Sequence, residues 1–493
     1  MKNVSNSIKQ VMVVFLFCFV ALISYIAYFQ FFSAPNIAAQ EGNKRLAAER
    51  NKVLRGTIYD RNKNALTTSE RGNALTQKRG YVNGELYVHP LGYADSVYGF
   101  SGLESAYNEE LTTYNKLKNN LLSLTNDFSI DKLKKMFETR EADDEQIGNG
   151  LITTLDPTLQ KVAFDALGSN KGAVVALDPT TGEVLAMVSK PTYNPNDLKA
   201  AMEKANSGTA EDSPLINRAI NGLYPPGSTF KTITLTSALE NMPGVTNRIF
   251  EDNGKLEFNA KQSLSNAKNA SYGSIDLKKA FEVSSNVVFG TIALELGNNK
   301  LKTTAEKYGF NSTIESDGFT ISKSQFPELK ANEKGSIAQS GIGQSSDLAT
   351  PMQMALVSST IANGGKMMMP KLVNQVIDKD GNIVRTIEPK VIKEVISSST
   401  AKTIKEYMSS LVDSKVNGSW SYFQGTDAAG KTGTADYNLP NGESATPHSW
   451  FIGFAPRNNP KVAVAVIVEN GGYGSVAAAQ VAGKVIKTAV SSK

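Results

Sequence analysis

Ser228 and Lys231 are the first residues in this chain whose types and spacing could do covalent chemistry. They follow the turn Tyr224-Pro225-Pro226-Gly227 and open a stretch that reads as helical to about Glu240, before Pro243-Gly244. The Pro-Pro-Gly turn forces a sharp entry and places Ser228 at the helix N-terminus. Residues three apart share a helix face, so the Lys231 amine can reach the Ser228 hydroxyl. A serine hydroxyl is a poor nucleophile until a nearby base takes its proton. Lysine can be that base when burial or a second cation lowers its pKa. Backbone N–H groups at the helix start favour a developing oxyanion. The chemistry these residues suit is acyl transfer through a covalent serine intermediate.

Composition narrows the choice of base. Among 493 residues there are two histidines, His89 and His448, and one cysteine, Cys18, which lies in an apolar N-terminal stretch. That supply excludes a disulfide framework and a cysteine nucleophile in a folded domain, and it argues against a zinc site. A Ser-His-Asp triad would need one of the two histidines, and neither has a nucleophile elbow nearby. The net charge of +5 is spread along the chain without a basic block, which argues against nucleic acid as a partner.

A serine and lysine three apart are weak evidence alone, because Ser129/Lys132, Ser265/Lys268 and Ser399/Lys402 repeat the spacing. The weight comes from two later motifs in order: Ser284-Ser285-Asn286 within FEVSSNVVFG, and Lys431-Thr432-Gly433-Thr434 within AAGKTGTADY. Singly, Ser284 reads as a helix cap and Lys431 as a solvated charge on an edge strand. Behind Ser228 and Lys231 they become members of one site. His448, in PHSWF after the third motif, reads as structural.

The elements that must position these residues are also legible. Residues 172–178 (GAVVALD) and 183–189 (EVLAMVS) read as strands joined by a PTTG turn, and 449–455 (SWFIGFA) with 461–469 (KVAVAVIVE) as a second hairpin. A helix over about 476–490 closes the chain, so an α+β domain is expected, with a sheet joining early and late segments. The Gly148-Asn149-Gly150 break marks a domain boundary. Ahead of it, 55–62 (RGTIYDRN) reads as a short strand and turn. Residues 108–148 read as helical, with Tyr114, Leu117, Leu121 and Leu124 on one buried face. Residues 11–32 are apolar almost throughout, long enough to cross a core of about 30 Å as an uncleaved anchor. Residues 1–10 are then a cytoplasmic tail, and 33–55 a polar, helix-prone stalk, with the bulk outside.

Taken together these segments resemble a class B penicillin-binding protein, a monofunctional peptidoglycan D,D-transpeptidase. The three motifs carry the resemblance, and RGTIYDRN, YGFSGLE (98–104), LDPTTGEVLAMVSKPTYNPN (177–196), QSGIGQ (339–344) and IANGG (361–365) extend it over nearly the whole chain. The middle motif reads Ser-Ser-Asn where Ser-Asp-Asn is common, the N-terminal module is short, and QSGIGQ departs from a Gly-Gln-Gly pattern. The resemblance implies a penicillin-binding, serine β-lactamase-like fold: an antiparallel sheet flanked by helices over 151–493, behind a pedestal module within 33–150.

It also implies roles. Ser228 forms an acyl-enzyme with the penultimate D-alanine of a stem peptide, Lys231 is its base, and Ser284 relays a proton to the leaving D-alanine. Asn286 holds a substrate amide, Lys431, Thr432 and Thr434 hold the terminal carboxylate, and the N–H groups of Ser228 and Thr434 form the oxyanion hole. No cofactor is required. Expected partners are peptidoglycan stem peptides, β-lactams as inhibitors, the bacterial cell membrane and a SEDS-family glycan polymerase. A serine β-lactamase, a β-lactam-sensing domain and an inactive scaffold are the rival readings.

Overall fold

The computed structural model describes residues 2–28, 53–72, 76–113, 146–208, 212–259, 262–437 and 444–491. Its first element is helix α1, Lys2–Tyr28, so the residues read as a tail continue the helix. Side chains of α1 are described at 11–23, 25 and 26, and the large apolar ones among them are exposed. Among the described residues no helix is long and apolar enough to cross a membrane. The expected span runs past them from residue 29, and the stalk up to residue 52 lies outside them too. So do residues 114–145, with Tyr114, Leu117, Leu121 and Leu124; the helix described there is Asn108–Thr112.

RGTIYDRN forms a strand of only two residues, β1 (Ile58–Tyr59). Asp60 ends it by accepting the N–H groups of Asn62 (2.8 Å) and Asn64 (2.9 Å), which folds the chain into a side-chain-capped turn. Arg55, from the RGTIYDRN segment, and Glu104, from YGFSGLE, form an ion pair in which both side chains are buried. Arg79 Nε takes the other Glu104 oxygen at 2.7 Å. Burial pushes the Glu104 carboxyl up, but Arg79 and then Arg55 outweigh it and hold it below the usual carboxylate range. Helix α2 (Gly84–Leu91) brings Val88 and His89 against the later chain.

The Gly148-Asn149-Gly150 break leads straight into strand β2 (Gly150–Thr153), which pairs in parallel with β1 and antiparallel with Val373–Ile377. Residue 150 therefore falls inside one sheet built from three distant parts of the chain.

The apolar runs expected as strands form β3 (Gly172–Leu177), β4 (Val184–Lys190), β6 (His448–Ala455) and β7 (Val462–Val468). With β5 (Ala429–Ala435) they make a five-stranded sheet in the order β5-β6-β7-β3-β4, every pair antiparallel. Strands of unbroken hydrophobicity are those covered on both faces. Here Ala463, Ala465 and Ile467 face one core while Val462, Val464 and Val466 face the other.

One face is closed by the closing helix α6 (Ala477–Ser491) and by Pro157–Leu167, which Asp156 caps and Pro157 starts. The other face meets α5 (Pro351–Ala362). Helices α3 (Lys231–Asn241) and α4 (Asn286–Lys307) pack against each other on that side. Helix α3 is buried although rich in threonine, because its hydroxyls find backbone acceptors: Thr232 on Thr229 O and Thr236 on Thr232 O, both at 2.8 Å.

Candidate active site

Ser228 stands, half-buried, on a 3₁₀ turn, Gly227–Phe230, that runs directly into α3. The sequence suggested an α-helical first turn; the tighter turn eclipses residues three apart, which places Ser228 and Lys231 on one edge. Gly227 has φ 53°, and a Cβ there would overlap Thr434 O. Its N–H donates to Gly343 O at 2.8 Å. QSGIGQ thus supports the serine turn from below, and Trp450 Nε1 holds Pro225 O from the sheet at 3.0 Å. Phe230 anchors the far side of the turn against Phe310 and Phe326.

Lys231 and Lys431 are both fully buried. Lys231 Nζ donates to Ser284 O (2.7 Å), Asn286 Oδ1 (2.8 Å) and Ser284 Oγ (3.2 Å). Lys431 Nζ donates to the same Ser284 Oγ at 2.9 Å and to Thr432 O at 3.1 Å. An ammonium has three protons to give. All three on Lys231 go to the second motif, so accepting the Ser228 proton requires Lys231 to lose one first. Burial, and then the charge of Lys431, pull Lys231 well below the usual lysine pKa, while Asp252 opposes them. Burial, with a smaller contribution from Lys415, pushes Lys431 down to about 7. Phe289 and Phe281 supply apolar walls beside the two ammonium groups, at 5.6 and 5.5 Å.

The second motif is held by residues that the sequence did not mark. Ser284 has φ 59°, a left-handed conformation rare outside glycine, so its placement is imposed by its surroundings. The helix cap is Ser285, which accepts Val288 N–H at 3.0 Å and donates to Asp252 Oδ2 at 2.5 Å. Asp252 is buried and also takes Asn266 Nδ2 on both oxygens (2.7 and 2.9 Å). Asn266 Oδ1 in turn accepts the N–H groups of Asn286 (2.7 Å) and Val287 (3.1 Å). Asn286 Nδ2 gives one proton to Ser265 O at 2.9 Å, which leaves its second for a ligand.

The third motif lies on β5, an edge strand in register with β6 through pairs such as Lys431↔Ile452 and Thr434↔Ser449. Lys431, Gly433 and Ala435 are buried and Thr432 and Thr434 half-buried, the alternation a strand imposes. As the edge of the sheet, β5 keeps backbone groups free of a strand partner on its outer side. Thr434 Oγ1 accepts Gly474 N–H at 3.2 Å. His448 pairs across from Ala435, stacks on Tyr437 at 4.4 Å, and accepts Asn470 N–H on Nδ1 at 3.2 Å.

The structure brings together Ser284, Asn286, Lys231 and Lys431 by direct contact, and the serine turn meets Thr434 of β5 where Gly227 packs on Thr434 O. Ser399 and Lys402 lie exposed on the helix Ser398–Val416. Among the described residues no group of histidine, cysteine, aspartate and glutamate could hold a metal ion.

Comparison with known proteins agrees with this architecture. Residues 172–487 match the penicillin binding protein transpeptidase domain family, and residues 55–129 the penicillin binding protein A dimerisation domain family. The peptidoglycan D,D-transpeptidase PbpA of Mycolicibacterium smegmatis is 30% identical over 486 residues, covering 95% of this chain and 94% of that protein. A crystal structure from Eggerthella lenta, of the D,D-transpeptidase domain of a peptidoglycan glycosyltransferase, is 33% identical with a TM-score of 0.75 and covers 89% of this chain and 98% of that one. The ceftriaxone acyl-enzyme complex of penicillin-binding protein A from M. tuberculosis superposes with a TM-score of 0.78 at 30% identity, covering 90% of this chain and 100% of that one. With the three motifs converging in one cluster and matches spanning nearly its full length, the chain belongs to the penicillin-binding protein transpeptidase family, in its class B.

Proposed function

We propose that this chain is a membrane-anchored D,D-transpeptidase that cross-links peptidoglycan stem peptides through an acyl-enzyme on Ser228. The observation that carries this reading is the convergence of two fully buried lysines on one hydroxyl beside the serine turn, at 3.2 and 2.9 Å. A buried pair of like charges gives up a proton readily, so a neutral amine stands next to the nucleophile.

Ser228 Oγ attacks the carbonyl of the penultimate D-alanine as its proton passes to Lys231. The oxyanion meets the N–H groups of Ser228 and Thr434. Collapse breaks the peptide bond, and the leaving D-alanine nitrogen takes a proton through Ser284, whose oxygen faces both lysines. Lys431, Thr432 and Thr434 hold the terminal carboxylate, and the second amide proton of Asn286 holds the donor peptide. An amine from a second stem peptide then loses its proton along the same path, attacks the ester and frees Ser228. A β-lactam enters the first step through its strained amide and stays on the serine. The acyl-enzyme complexes of the M. tuberculosis relative with ceftriaxone, imipenem and penicillin G support this part of the reading.

Residues 11–32 serve as the single-pass anchor in the bacterial cell membrane, with 33–150 as stalk and pedestal and 151–493 as the catalytic part outside. Tethering raises the effective concentration of the site where a SEDS-family glycan polymerase releases new strands. Labelling with a fluorescent penicillin tests the core of the proposal. Ser228→Ala should abolish labelling at an unchanged melting temperature. Lys231→Arg keeps the charge but cannot supply a neutral base, and should slow acylation about 10²-fold or more. Labelling that survives Ser228→Ala would overturn the assignment.

A further inference from the structure

Two rims from different parts of the chain flank the cluster around Ser228. On one rim, Ser265 and Asn266 are tied to the second motif: Ser265 O accepts Asn286 Nδ2, and Asn266 Oδ1 accepts Asn286 N–H. On the other rim, the loop after β7 lies on the third motif: Gly474 N–H donates to Thr434 Oγ1, and a Cβ on Gly474 would overlap Gly433 O. Lys268 is two residues beyond Asn266, and Tyr473 immediately precedes Gly474. Their side chains meet across the opening, with Lys268 Nζ 5.6 Å from the centre of the Tyr473 ring. Both are exposed, Tyr473 to 54%. Among the described residues Lys268 has no carboxylate partner.

We infer that Lys268 is a specificity-determining residue that reads a carboxylate on the acyl donor, and that Tyr473 holds it over the cleft until the donor enters. The inference rests on the transpeptidase reading. Asn286 would hold the donor amide, and Ser265–Asn266 follow outward from it, so Lys268 meets the part of the donor beyond that amide. A carboxylate on the donor there is the group that an exposed ammonium with no carboxylate partner among the described residues fits. Cation–π contact at an exposed position is weak, so a carboxylate displaces the ring from Lys268 easily. Lys431 is fully buried beside Ser284 and is assigned to the terminal carboxylate, so it does not make this contact.

The experiment compares two penicillins that share a nucleus and differ by one side-chain carboxylate, benzylpenicillin and carbenicillin. Their acylation rates are measured on the detergent-solubilised full chain and on Lys268→Ala, Lys268→Glu and Tyr473→Ala. The carbenicillin-to-benzylpenicillin ratio should fall about fivefold in Lys268→Ala, the upper range for an exposed ion pair, and further in Lys268→Glu. In the wild type the ratio should also fall with added salt. Tyr473→Ala should raise both rates and leave their ratio in place. A ratio that stays constant across both Lys268 variants, while benzylpenicillin still acylates them, overturns the inference. Failure of both penicillins to acylate the wild type would instead overturn the transpeptidase reading beneath it.

Discussion

Lys231 is fully buried among three hydrogen-bond acceptors, yet the proposed reaction needs it without one of its protons. Its environment is set by opposing neighbours: burial and Lys431 disfavour the charge, and Asp252 favours it. Removing the carboxylate charge should therefore lower the Lys231 pKa further. In the proposed reaction the neutral amine is the active form, so the acid limb of the acylation-rate profile marks the pH at which Lys231 gains its proton. Asp252→Asn should move that limb to lower pH while leaving the plateau within about an order of magnitude, since asparagine can still accept from Ser285. A limb that stays in place or moves to higher pH would show that Asp252 acts through shape alone. Neither Asp252 nor Asn266 was legible in the sequence. Ser228, Lys231 and Lys431 are legible because they sit in short motifs in a set order, whereas Asp252 meets Ser285 across 33 residues and Asn266 meets Asn286 across 20. No periodicity marks such pairs. The Ser-Ser-Asn variant has a physical account only in the fold, where Ser285 is both the cap of α4 and the link to Asp252.

At the scale of elements, the serine turn is wedged between β5 and the QSGIGQ loop with no room for a side chain on Gly227. Gly227→Ala would need a positive φ that alanine resists and would push the turn away from Thr434. Displacement of a nucleophile by about 1 Å can cost on the order of 10² in rate. The variant should thus lose most acylation while remaining folded, as followed by fluorescent-penicillin labelling beside a circular-dichroism melt. Near-normal acylation would mean that the turn and the strand adjust independently. Strands β3, β4, β6 and β7 were legible because they are apolar without interruption, and both of their faces proved to be covered. The Gly148-Asn149-Gly150 break was legible as a break but not as the entry to a paired strand, because a parallel partner for β2 from residues 58–59 leaves no local trace. The Arg55–Glu104 pair was visible as two separate segments and not as a contact, for the same reason.

At the scale of the whole molecule, the N-terminal part is seated on the catalytic part through α2. His89 is buried there, edge-on to Tyr193 with ring centres 5.8 Å apart, and its carbonyl accepts Asn217 Nδ2 at 3.0 Å. Burial pushes the imidazole from its ordinary 6.5 down to about 4. Between those values the unfolded chain binds a proton that the folded chain refuses, so stability falls as pH falls through this window and is fully present above it. His89→Gln should remove up to about 3 kcal/mol of that acid loss, read as the wild-type-minus-variant difference in urea midpoints from pH 7 to 4. A difference that does not change with pH would rule out His89 as the source. The sheets carry a further consequence, for synthesis. Strand β3 pairs with β7, and β2 pairs with the strand Val373–Ile377, so both sheets are stitched from early and late parts of the chain. A nascent chain that has emerged only as far as α4 presents β3 with one free edge and with apolar faces only partly covered, since α5, α6 and β7 are still missing. Such long-range pairing makes folding slow and leaves intermediates prone to aggregate. Incomplete chains therefore gain from shielding until β7 has been synthesised, and yield will depend on chaperones as much as on the stability of the finished enzyme.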